Sequence, residues 1–206
     1  MLKNKGGLVP TVVLLVICSL TSALLSWTNI ATAETIAMKE AEKDDQARKT
    51  ILTEATEFKE VPLEEFLKRY PDFSEEKTKA SDMSNLVSIY KGLAGDKVIG
   101  YIIQGTYRGY GGNVPSMVGV LKDKTISKVT VLTNEETPGL GKKVEDEAFL
   151  KQFEKASIEK PFVIGDSNED EVKVDTVSGA TYSSRAVQRT VDLAMKIAKQ
   201  IGEEDL

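Results

Sequence analysis

Residues Asp175 to Ser184 read DTVSGATYSS, with hydroxyls at Thr176, Ser178, Thr181, Ser183 and Ser184 around the Gly179-Ala180 pair. An alternating pattern precedes the stretch and a helical one follows, so it spans a strand-to-helix turn. Unpaired backbone N–H groups at a helix start, with the positive end of the helix dipole behind them, suit a phosphate. Small residues such as Gly179 and Ala180 let a bulky group approach the main chain. A threonine hydroxyl at such a point can also carry phosphate as a phosphoester. An outside enzyme must then supply base and metal, because the hydroxyl alone is a weak nucleophile. The plainer reading needs no ligand: Thr181 or Ser183 caps the helix, and Gly179 supplies a positive φ.

Two further segments carry glycines after strand patterns. Thr133 to Gly141 reads TNEETPGLG, a turn in which Gly139 and Gly141 permit close backbone approach. Gly105 to Pro115 reads GTYRGYGGNVP, too glycine-rich for strand interior, and is expected to be a loop in which Gly111 and Gly112 come close to something. Tyr107, Tyr110 and Tyr182 are candidates to stack on a planar ligand, or else to pack against the fold. Because all three segments leave strand ends, they can line one cleft. Lys142 and Lys143 read as solvated lysines.

Composition narrows the chemistry. A formal charge of −5 argues against nucleic acid, and the absence of histidine removes the commonest general base and metal ligand. The single cysteine, Cys18, can build neither an intramolecular disulfide nor a cysteine-ligated cluster. No Gly-x-Gly-x-x-Gly follows a strand, so a dinucleotide fold is not indicated.

The elements that must position these residues begin with an apolar run. Leu8 to Ile30 carries no charged side chain, and a bilayer needs roughly 20 such residues. Lys3 and Lys5 precede it and Glu34, Glu40 and Glu42 follow, which puts the N-terminus in the cytoplasm and the rest outside. Ala31-Thr32-Ala33 has the form of a signal-peptidase site, but the run exceeds a usual signal core of about 7–15 residues, so an uncleaved anchor is expected. Ala33 to about Glu60 reads as a helix, with Ile36, Ala41, Ala47, Ile51, Ala55 and Phe58 at helical spacing. Pro62 and Pro71 bracket a short helix, Leu63 to Arg69. Strands are predicted at Leu86–Lys91, Lys97–Thr106, Ser116–Leu121, Thr125–Leu132 and Val172–Val177, and helices at Val144–Ala156 and from about Ser183 to Ile201. The class is α+β: one domain with a largely antiparallel sheet flanked by helices, behind one transmembrane helix. The expected division is 1–7 cytoplasmic, 8–30 anchor, 31–85 helical connector and 86–206 ligand-binding domain.

Asp175-Thr176-Val177-Ser178-Gly179-Ala180-Thr181 resembles the Asp-x-x-Ser/Thr-Gly-Ala-Thr site at which a flavin transferase joins FMN, through its phosphate, to the last threonine. Glu136 to Gly141, ETPGLG, resembles the second signature of the same FMN-binding domains, found in the G subunits of Rnf complexes and the C subunits of Nqr complexes. The shorter Rnf protein is the nearer likeness. That resemblance implies an electron-transfer subunit with covalent FMN in a membrane-bound, ion-translocating ferredoxin:NAD oxidoreductase. It would carry electrons for a redox-driven sodium or proton translocase without acting on NAD alone. Thr181 then takes the phosphoester, and Ser178, Gly179 and Ala180 surround the phosphate. Thr137, Gly139 and Leu140 lie toward the isoalloxazine, with Gly111 and Gly112 nearby. Asp175 is recognised by the transferase, no residue is catalytic, and no metal is bound. The implied partners are the other Rnf subunits, the transferase during maturation, and the membrane. The alternatives are an anchored FMN domain of another extracytoplasmic electron-transfer or sensing system, and an anchored binding domain without redox function.

Overall fold

The computed structural model describes residues 5–70 and 83–201, with side chains from Val9 onward except that of Met83. Lys3, Pro71 and residues 202–206 lie outside the described residues. The chain divides into two units between Lys43 and Asp44.

The helix α1 (Lys5–Ile51) makes up most of the first unit, and its N-terminal half is apolar on all sides. It is long and apolar enough to cross a membrane. Leu25, Trp27 and Ile30 are all about 70% exposed, so nothing in the unit itself covers this surface. Some of its hydroxyls bond within the helix: Thr21 Oγ1 donates to the Ile17 carbonyl at 2.9 Å and Thr28 Oγ1 to that of Leu24 at 2.8 Å. A helix that meets its own polar groups can enter hydrocarbon at low cost.

In the second unit five strands form an antiparallel meander in chain order: β1 (Glu57–Val61), β2 (Leu86–Ala94), β3 (Lys97–Arg108), β4 (Asn113–Leu121) and β5 (Ile126–Val131). Tight turns at Gly95-Asp96 and Lys122–Lys124 join neighbours as the sequence predicts. Alternation along β3 and β4 divides the core between two faces. Tyr101, Ile103, Val118 and Val120 face the larger cluster, whereas Ile102 and Met117 face a smaller one closed by Ile51 and Leu52. The helix α4 (Thr181–Ile201) covers the larger face with Val187, Val191, Ala194, Ile197 and Ile201, the predicted stripe. The class is therefore α+β, an antiparallel sheet with flanking helices and one N-terminal apolar helix.

Several elements differ from the sequence reading. The first helix ends at Ile51 rather than near Glu60, because Glu57–Val61 pairs with the edge of β2, Val61 opposite Ile89. Open edge groups gain partners there that local helix propensity cannot supply. The short helix α2 (Leu63–Arg69) forms as expected and buries Phe66. Gly105 to Pro115 is not a loop: β3 continues to Arg108 and β4 begins at Asn113, leaving a turn at Gly109–Gly112. Gly105 pairs with Ser116 inside the sheet, and a Cβ there would lie 3.0 Å from Thr190 Cγ2, so its small size serves the approach of α4.

The predicted helix Val144–Ala156 is also broken. A 3-10 turn (Gly141–Glu145) leads into the single-turn helix α3 (Glu147–Leu150) and then irregular turns. Lys155, at φ 61°, donates its N–H to the Ile126 carbonyl at 2.8 Å and returns the chain to β5. Edge-to-face contacts of Phe153 with Phe149 and Phe162, at centroid distances of 5.6 and 5.0 Å, hold that path. The strand expected at Val172–Val177 shrinks to β7 (Val172–Lys173), paired in parallel with β6 (Phe162–Val163).

Candidate functional site

Tyr110 of the β3–β4 turn, Glu136, Thr137, Leu140 and Gly141 after β5, and Gly179 to Ser183 at the start of α4 line a cavity of ≈ 370 Å³. That falls in the range of small-molecule sites, about 300–1,000 Å³.

One wall is a helix N-terminus. Helix α4 begins at Thr181, earlier than the expected Ser183, and its first intrahelical bond runs from the Ser184 N–H to the Ala180 carbonyl at 2.9 Å. The N–H groups of Thr181, Tyr182 and Ser183 therefore stand in the first turn, where an anion finds donors. The hydroxyl that shapes the turn is neither Thr181 nor Ser183. Ser184 Oγ donates to the Ala180 carbonyl and accepts the Val177 N–H, both at 3.0 Å. Thr181 stays exposed, and Ser183 Oγ, fully buried on the cavity, has no hydrogen-bond partner among the described residues. Gly179 has φ 76°, a left-handed conformation that L side chains resist.

The opposite wall is a turn braced from behind. Thr137 accepts N–H bonds from Leu140 and Lys142, each at 3.2 Å, which rounds the Thr-Pro-Gly-Leu stretch into a loop. Leu140 is half exposed and faces Gly179, where a Cβ would sit 3.0 Å from Leu140 Cδ2. Glu136 is only 2% exposed. Its Oε1 accepts the N–H of Tyr110 at 2.8 Å and of Gly111 at 3.2 Å, while its own N–H donates to Asn134 Oδ1 at 3.0 Å. Asn134 in turn donates through Nδ2 to Glu145 Oε1 at 2.7 Å and to the Leu132 carbonyl at 3.1 Å. A chain of polar contacts thus joins the β3–β4 turn to the second motif.

Of the residues singled out from sequence, Thr137, Leu140, Gly179, Ala180 and Thr181 line the cavity, with Tyr110 and Tyr182 exposed at its rim. Ser178, Gly139, Gly111 and Gly112 are adjacent in chain but not among the lining residues. The close approach at Gly111 is to the protein itself, since a Cβ there would lie 2.8 Å from the Glu135 carbonyl oxygen. Tyr107 is buried in the core and does not reach the cavity. The Asp175 side chain is exposed, and its backbone is clamped by Gln152, whose Oε1 accepts the Asp175 N–H at 2.8 Å and whose Nε2 donates to its carbonyl at 3.1 Å. Lys142 pairs with Glu145 at 3.9 Å. Gln152 escaped the sequence reading, as did the roles of Glu136, read only as the start of the second motif, and of Ser183, read only as a cap. A carboxylate between turn glycines was the available signal for Glu136, but a solvated surface turn looks the same in sequence.

Residues 109–196, which contain every lining residue of the cavity, match the FMN-binding domain family. The G subunit of the Na(+)-translocating ferredoxin:NAD(+) oxidoreductase complex of Acetobacterium woodii is 28% identical over 194 residues, 93% of this chain and 91% of that protein. The G subunit of an ion-translocating oxidoreductase complex of Methanosarcina acetivorans is 30% identical over 178 residues, 85% of this chain and 86% of that one. Among solved structures, NqrC of Shewanella oneidensis aligns with 57% of this chain and 59% of its own at 25% identity and a TM-score of 0.46. With both relatives matched over most of their length, the chain belongs to the family of G subunits of ion-translocating oxidoreductase complexes.

Proposed function

We propose that this protein is the FMN-carrying, electron-transferring subunit of a membrane-bound ion-translocating oxidoreductase, and that the flavin is held covalently through the Thr181 hydroxyl. The observation that carries the reading is an exposed threonine at a helix N-terminus, on a cavity bounded by both sequence motifs. The donor set fits an FMN phosphate: the first-turn N–H groups of α4, the unpartnered buried Ser183 hydroxyl, and a main chain left bare at Gly179 and Ala180.

Bound FMN would supply the redox chemistry, and the chain supplies position and surroundings. In maturation Thr181 Oγ1 bonds to the phosphorus of an activated flavin nucleotide. Its proton passes to a base of the transferase, and the activating group departs. Ser178, Ser183 and the N–H groups after Gly179 would hold the phosphate, and Leu140, Thr137, Tyr110 and Tyr182 would surround the ring, with Gly139 letting the loop turn. Gly111 and Gly112 shape the neighbouring turn, and Asp175, its backbone clamped by Gln152, offers the transferase an exposed carboxylate. Covalent attachment keeps the cofactor with a domain outside the cytoplasm, where a dissociated flavin is lost by dilution. Residues 8–30 anchor the chain and residues 1–7 stay in the cytoplasm, as the flanking charges favour. The stretch expected to connect the anchor to a flavin domain at 86–206, residues 31–85, gives β1 to that domain's sheet and Phe66 to its core, so the flavin-carrying unit takes in residues from Asp44 onward. The partners are the other subunits of the complex, with sodium or protons as the transported ion.

The test is expression with an active flavin transferase and inspection of a denaturing gel for flavin fluorescence. The wild-type band is expected to fluoresce and Thr181→Ala to be dark. A dark wild-type band beside a fluorescent control substrate overturns the covalent reading.

A further inference from the structure

Glu136 is a carboxylate almost wholly removed from solvent, an arrangement that is costly unless its oxygens are met by donors. The donors come from the Gly109–Gly112 turn, through Tyr110 and Gly111, while the backbone of Glu136 is held by Asn134. Space around the side chain is just as specific. A Cβ at Gly109 would collide with Glu136 Oε1, and for a Cβ at Gly141 the three nearest atoms all belong to Glu136, Oε2 among them. The two glycines leave room for one buried carboxylate, and that carboxylate ties together two segments that would otherwise be independent turns.

We propose that Glu136 is the positioning residue of the flavin site. By accepting the Tyr110 and Gly111 N–H groups it fixes the β3–β4 turn against the Thr137–Gly141 loop, and so sets the gap into which the ring fits and the place of Tyr110 at its edge. That role rests on the reading of the cavity as the flavin site. The hydrogen bonds of Glu136 run to Tyr110, Gly111 and Asn134 and not to Thr181 or Ser183, so its work is on the orientation of the ring and not on the covalent bond. An acceptor oxygen is what the two amides require. Glutamine retains one and alanine does not.

The experiment uses the full chain, expressed with its transferase and solubilised in detergent, as wild type, Glu136→Gln, Glu136→Ala, Gly141→Ala and the Gly141→Ala/Glu136→Ala pair. Backbone amide exchange at Tyr110 and Gly111 reports the brace without reference to flavin, and visible-region circular dichroism of the bound flavin reports ring orientation. Glu136→Ala is expected to speed exchange at both amides at least about tenfold, as befits loss of a hydrogen bond to a charged group, and to change the flavin signal, with gel fluorescence undiminished. Glu136→Gln should restore both toward wild type. Gly141→Ala should resemble Glu136→Ala, and the pair should be no worse than Glu136→Ala alone, because Oε2, the atom nearest the added Cβ, is gone. Unchanged exchange in Glu136→Ala overturns the brace, and a Glu136→Gln as damaged as Glu136→Ala overturns the acceptor role. If Glu136→Ala does not accumulate, Gly141→Ala decides from the opposite side: exchange no faster than wild type overturns the proposal. A dark wild-type band overturns the flavin reading on its own, whatever the amides do.

Discussion

The two walls of the cavity are held in place by opposite means. Gly179 to Ser183 are rigid because the helix they begin buries an apolar stripe against the sheet, with Val187, Val191 and Ile197 fully buried. The opposite wall has no such stripe. Thr137 to Gly141 are mostly exposed, and what lies under them is one buried carboxylate with its few hydrogen bonds and the Val144 side chain of the next turn. In both walls the groups that face the cavity, Thr181 and Leu140 among them, contribute little to their own positioning. Buried residues behind them do that work, which leaves the front free for a ligand.

The contrast can be broken first on the apolar side. Ile197→Ala removes a fully buried side chain under α4 and is expected to cost about 2–5 kcal/mol in denaturant unfolding of the second unit. A loss below about 1 kcal/mol would mean that the helix wall is not anchored by its stripe. Gly179→Ala asks an L residue to hold φ 76° with its Cβ against Leu140. About 1–2 kcal/mol is expected, together with reduced flavin attachment on a denaturing gel. Thr181→Ala sharpens the comparison: attachment is expected to be lost completely on a denaturing gel while stability changes by at most about 1 kcal/mol. A large destabilisation would return Thr181 to the status of a structural cap.

The smallest effect lies away from both walls, in α3. Lys151 hydrogen-bonds to Glu147 at 2.7 Å, which lowers the Glu147 carboxyl and raises the Lys151 ammonium relative to their ordinary values. With the folded carboxyl depressed, its stabilisation is present at neutral pH and is lost as the pH falls through the folded value. The lysine's share is present at neutral pH and is lost as the pH rises through its raised value. Both side chains are mostly exposed, so Lys151→Met should leave the denaturation midpoint at pH 7 within error and make no difference in acid.

Sequence by itself determined what depends on local pattern. The charge-free run to Ile30 can only be a long apolar helix. The alternation in β2 to β5 and the stripe of α4 follow from periodicities of two and 3.6 residues, each set by which face is buried. Thr181 stood out through resemblance, because DTVSGAT and ETPGLG occur together in the expected order behind an apolar run, whereas the turn by itself reads equally as a helix cap. Tertiary structure alone decided the rest, and in each case a distant partner outweighed the local signal. Glu57–Val61 became a strand because β2 had an open edge, and Gly105 stayed in the sheet because α4 lies across it. The helical pattern after Val144 broke where Phe153 turned in toward Phe162. Glu136 was unreadable as a brace for the same reason. A carboxylate acquires that role only when amides from more than twenty residues earlier close over it and exclude water, and nothing in its own neighbours specifies that closure.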